Sequence, residues 1–198
     1  MTGLAAPLQT GAWPRPQAAA STGLWFMMAV SSSIFFLLLV AYVMRLNGLE
    51  GFPLALPWQF MLSSALLALG GLALELGRRS ATRDARGLRW GGLCALAFVL
   101  VQLWGWQALA AARVLPSGNP AASFLYLLTA MHGLHVLGGL WGWWRCLRAW
   151  PRADAAQRAM GLALCARFWH FLLLLWALLY ATLGWLTPEL VRAICGTR

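Results

Sequence analysis

Five stretches of this chain, at about 22–44, 54–77, 90–111, 121–145 and 163–187, are almost wholly apolar. Each is long enough for a helix to cross a hydrocarbon core of about 30 Å, which takes roughly 20 residues. Few sequence features narrow the possible folds further. In lipid every backbone N–H and C=O must be paired within the protein, which leaves α-helices or closed barrels. Barrel strands would be shorter and would alternate with period two; these stretches do neither. The expected fold is therefore an all-α membrane protein, a bundle of five transmembrane helices over 22–187. An irregular N-terminal tail (1–21, with Pro14 and Pro16) precedes it and a short C-terminal tail (188–198) follows. The first stretch is too long for a signal-peptide core and no small-residue cleavage site follows it, so it is read as a true span.

Composition agrees. Hydrophobic residues make up 61% of the 198 and charged residues only 10%, where a soluble domain carries roughly 25% charged. The net charge of +10 does not point to nucleic acid, because the basic residues sit between the spans. All 15 are arginine. Arg15, Arg78, Arg79, Arg83, Arg86, Arg89, Arg145, Arg148, Arg152, Arg158 and Arg167 fall on one side, against Arg45, Arg113, Arg192 and Arg198 on the other. The positive-inside rule then expects a cytoplasmic N-terminus and a periplasmic C-terminus. The cysteines Cys94, Cys146, Cys165 and Cys195 form no CxxC pair and carry no disulfide or zinc signal.

Polar groups inside the spans are few, and such groups are functional candidates by default. Glu75 lies three and four residues before Arg78 and Arg79, the spacing of a local ion pair. No carboxylate sits at the centre of a span and no proline interrupts one. An ion-coupled transporter usually has both devices, so transport is disfavoured. The histidines remain. His132 and His135 share a helix face, and His170 is the one available partner. A bis-histidine haem would need two rings at one depth; His170 and His135 differ by about 6 Å at 1.5 Å per residue. A metal triad would also lack a carboxylate to orient its rings. Neutral imidazoles binding helices together, each with a hydrogen-bond partner, are the favoured reading. Gly133, Gly138, Gly139 and Gly142 on the same span fit close helix approach.

The stretches "GNPAASFLYLLTAMHGLHVLGGLWG" and "ARFWHFLLLLWALLYATLGW" carry an HGxHVxxG signature and a WHF triplet followed by tryptophan. In both, and more loosely in the first three spans, the chain resembles the five-helix form of subunit III of haem–copper terminal oxidases. Three acidic positions of that family differ: Ser32 stands for a glutamate in span one, Gly105 for one in span three, and Leu173 for an aspartate in span five.

The resemblance implies a subunit without catalytic or metal residues of its own, in a bacterial inner membrane. It implies packing beside subunit I, which carries the haem and copper, within a complex that includes subunit II. Bound phospholipid and support of turnover are implied as well. His132, His135, His170, Trp169 and Trp176 are the expected interhelical residues; Arg89, Arg167, Trp58, Trp90 and Ser32 are the expected lipid contacts. The lipid cleft is expected between spans one and two on one side and spans three to five on the other. The alternatives are the accessory subunit of a related nitric oxide reductase, a stand-alone transporter, or a haem-handling assembly protein.

Overall fold

A computed structural model describes residues 16–46, 56–80, 85–117 and 120–185. It contains α1 (Pro16–Leu46), α2 (Trp58–Arg79), α3 (Arg86–Ala111), α4 (Pro120–Ala149) and α5 (Ala155–Trp185), with a single 3-10 turn at Trp150–Arg152 before α5. All five α-helices are long and apolar enough to cross a membrane, and no strand occurs among the described residues. The expected tails at 1–15 and 186–198 lie outside the described residues.

The helices overrun the apolar stretches at several ends. Hydropathy measures the thickness of the hydrocarbon, whereas a helix continues as long as its residues favour one. α1 begins at Pro16, inside the expected tail, because proline suits a first helical turn and an Ala-rich segment follows. α5 begins eight residues before the expected span, with a reciprocal cap at its start. The Gln157 backbone N–H donates to Asp154 Oδ1 (2.7 Å) and the Asp154 N–H to Gln157 Oε1 (3.0 Å). α3 ends with Arg113 in the left-handed region (φ 62°). That conformation lets the Val114 N–H reach back to the Leu109 carbonyl at 3.0 Å and close the helix end.

α2 packs along α3 more extensively than any other pair, and α5 packs against α2, α4 and α1. The α2–α3 contact is made by glycine. A Cβ on Gly87 would lie 2.7 Å from both the Ala73 carbonyl oxygen and the Gly77 Cα, so the two backbones touch. Near the other end, a Cβ on Gly105 would meet the Phe60 ring at 2.8 Å. Any side chain larger than glycine's at this position would displace that ring. In contrast, α1 lies to one side and packs on α4 and α5.

This arrangement corrects two expectations. α2 belongs with α3 and α5, so no cleft separates spans one and two from the rest. The opening lies instead between α1 and the α4–α5 pair. The α4 glycines are also used differently: only Gly139 meets neighbours, the Phe168 and Trp169 rings at 2.8 Å, while Gly133, Gly138 and Gly142 have nothing within 4 Å of where a Cβ would be. Glycine spacing marks a smooth helix face without saying whether a helix covers it.

Candidate functional site: an aromatic histidine core and an apolar groove

His132 and His135, one turn apart, have opposite surroundings. His135 joins helices. Its Nδ1 lies 2.7 Å from the Met131 carbonyl, an acceptor, so that nitrogen carries the proton. Nε2 then accepts from the Ser31 hydroxyl of α1 at 2.9 Å. The Phe35 ring packs edge-on at 5.4 Å. This neutral tautomer ties α1 to α4 without placing a charge in lipid.

His132 is fully buried, and neither ring nitrogen has a hydrogen-bond partner among the described residues. The expectation that each buried imidazole finds a partner fails here. Aromatic faces enclose the ring instead: Trp176 at 5.1 Å and Phe98 edge-on at 5.7 Å. Those rings fill the space through which a polar side chain would have to reach.

Trp176 organises the same layer. Its indole N–H donates to the Ser64 hydroxyl of α2 at 2.8 Å, and its ring lies against Phe60 (6.0 Å) and Phe98 (5.4 Å). One side chain of α5 thereby touches α2, α3 and α4. Beside it, Gln102 Nε2 of α3 donates to the Ser63 hydroxyl of α2 at 2.8 Å. Trp169, two turns from Trp176, is buried over Gly139.

His170 does not join helices. It is exposed, on the far side of α5 from this core, and its Nδ1 donates to the Ala166 carbonyl of its own helix at 2.6 Å. The three histidines thus occupy three environments and do not converge. No group of three or more metal-capable side chains gathers among the described residues.

The groove between α1 and α4–α5 encloses about 660 Å³. Gly23, Leu24 and Met27 of α1 form one wall; Leu134, His135, Gly138 and Gly142 of α4 form the other; Leu164, Phe168 and Trp169 of α5 close the floor. The glycines widen it, and the walls are almost entirely apolar. At the arginine-rich end Arg167 crosses to α1, donating to the Ser21 hydroxyl at 2.9 Å with its guanidinium 5.3 Å from the Trp25 ring.

The other expected lipid contacts do not gather there. Ser32 is exposed and donates to its own helix at Met28 (2.9 Å). Its neighbour Ser31 is the one turned inward. Arg89 and Trp90 are exposed at the start of α3, and Trp58 packs edge-on against Trp104 (5.0 Å) at the opposite end of the bundle. Leu173 is half-buried on α5. Sequence reasoning also missed Trp143, which covers Gly92 and donates to the Leu88 carbonyl at 2.6 Å, tying α4 to α3. A tryptophan among thirteen carries no mark of such a role.

No family model matches the chain. Over 166 residues, 78% of each chain, it is 28% identical to the cytochrome bo(3) ubiquinol oxidase subunit 3 of Pseudomonas aeruginosa. Over 73 residues, 35% of each chain, it is 37% identical to the cytochrome c oxidase subunit 3 of Thermostichus vulcanus. Both relatives are named as subunit 3 of an oxidase, and the likeness to the first runs along most of this five-helix chain.

Proposed function

We propose that this chain is a non-catalytic subunit III of a bacterial haem–copper terminal oxidase. It packs in the inner membrane against the subunit I that carries haem and copper, in a complex that includes subunit II, with its N-terminus in the cytoplasm. The observation that carries this reading is the similarity to an oxidase subunit 3 over most of both chains. The interior fits a scaffold. Several of its polar side chains join helices, at Ser31–His135, Gln102–Ser63 and Trp176–Ser64, and aromatic rings pack against His132. In this reading the groove holds phospholipid acyl chains and the subunit supports sustained turnover.

The test is purification of the tagged chain from its native membrane in a mild detergent. Haem and copper should co-elute with it, in an oxidase that oxidises a quinol or a cytochrome c. Elution with a nitric oxide reductase, or alone, would remove the proposal.

A further inference from the structure

The seam between α4 and α5 brings two thiols together. The helices run antiparallel, and Gly139 of α4 meets the Phe168 and Trp169 rings of α5. Two helical turns farther along the seam, Cys146 of α4 falls opposite Gly161 of α5. A Cβ on Gly161 would lie 2.6 Å from the Cys146 Sγ, so the sulfur rests on the α5 backbone. Cys165 follows Gly161 by one turn on the same face, and the Cys146 and Cys165 thiols are hydrogen-bonded to each other. Both cysteines are free, and both line the groove. We infer that Cys146 and Cys165 are a peroxide-sensitive redox pair that closes to a disulfide between α4 and α5. The sequence shows no such pair because the two cysteines lie on different helices.

Access assigns the roles. Cys146 is half-buried, and it also lines a second hollow of about 570 Å³, with Arg145, Arg152 and Arg158. Groove and hollow share Ala20, Gly161 and Leu164, so Cys146 stands where the two meet. Cys165 lines the groove but not the hollow and is only 9% exposed. An accessible thiol beside a sheltered resolving thiol is the arrangement that reversible oxidation requires. The arginines put this end of the seam at the membrane surface, where water can take up a thiol proton. Cys94 offers an internal comparison: it is half-buried on α3, against Gly70 of α2.

The chemistry balances with one peroxide. Hydrogen peroxide is small and uncharged, so it can enter the apolar groove as well as the hollow. The Cys146 sulfur attacks one peroxide oxygen and the O–O bond breaks. The departing hydroxide takes the thiol proton and leaves as water, and Cys146 becomes a sulfenic acid. The Cys165 sulfur then attacks the Cys146 sulfur. The S–S bond forms, and the sulfenic hydroxyl leaves as water with the Cys165 proton. Two thiols have lost two electrons and one peroxide has gained them. A small thiol reverses the step by exchange. The inference needs only the α4–α5 contact and is independent of the oxidase proposal.

The test treats the purified full chain in detergent with hydrogen peroxide, caps the remaining thiols with N-ethylmaleimide, and maps the digest by mass spectrometry. A peptide joined through Cys146 and Cys165 should appear, in a yield that does not change on dilution, and dithiothreitol should release it. Cys165→Ser removes the resolving sulfur. Capture of the Cys146 sulfenic acid by dimedone should then rise about tenfold or more over wild type, because no adjacent thiol competes for it. If that variant does not fold, the joined peptide of the wild-type chain decides. Absence of that peptide would overturn the inference. So would pairing of either cysteine with Cys94 or Cys195 instead, or equal dimedone capture at Cys146 in wild type and a folded Cys165→Ser.

Discussion

The hydroxyl of Ser31 holds α1 against α4 through a neutral histidine, and that bond can be measured. Hydrogen bonds between membrane helices average about 0.6 kcal/mol and reach about 1.7. Ser31→Ala and His135→Ala should each destabilise the chain, and a double-mutant cycle of denaturant unfolding in micelles should return a coupling within that range. Independent effects would mean that the bond contributes nothing. His132 makes the opposite prediction. A buried polar group without a partner carries its full desolvation penalty, and replacement by an apolar group of similar shape can be neutral or stabilising. His132→Phe keeps an aromatic ring between Trp176 and Phe98, which lie 5.1 and 5.7 Å away. Its unfolding free energy should be unchanged or higher; a loss above about 1 kcal/mol would show that the imidazole nitrogens are bound after all.

At the scale of helices, the decisive contact is the Gly77–Gly87 crossing. A methyl group on Gly87 would lie 2.7 Å from backbone atoms of α2, which cannot move as a flexible side chain can. Gly87→Ala should therefore separate α2 from α3 and cost about 1–3 kcal/mol, the range for overpacking. Gly133→Ala is the matched control. Its Cβ would meet nothing within 4 Å, and alanine outranks glycine in a helix by about 0.8–1.0 kcal/mol, so the change should be neutral or stabilising. Equal losses at both sites would show that helix propensity, not contact, governs them. The same pair shows what the sequence reveals and what it withholds. Five spans were legible because each apolar stretch matches a bilayer thickness, and the Glu75 pairing because i+3 and i+4 meet on any helix. Which glycines touch was not legible, since Gly77 and Gly87 lie on different helices whose register depends on their packing. For the same reason sequence spacing grouped His170 with His132 and His135, although it sits on the outer side of α5.

The whole molecule has one loosely attached helix, and both its orientation and its groove follow from how charges and glycines are distributed. The arginine asymmetry predicts that a reporter fused after Arg198 is active outside the cytoplasm and one placed near Ala81 inside; reversal at either site would overturn the orientation. Among the described residues, α1 is tied to the others by Ser31–His135, by Arg167–Ser21 and by the Tyr42–Phe124 ring contact at 5.8 Å. Between these ties the Gly138 and Gly142 faces stay uncovered along the groove wall. A cavity lined by apolar groups and open to a bilayer is filled by hydrocarbon more favourably than by water. Gly138→Leu with Gly142→Leu should fill it from within. In the oxidase that the proposed function predicts, the double variant should carry fewer phospholipids and lose activity sooner during sustained turnover, with the haem content unchanged. Gly133→Leu on the same helix places an equal side chain outside the groove lining and serves as the control. If the double variant and the control retain lipid and activity alike, the groove has no part in either.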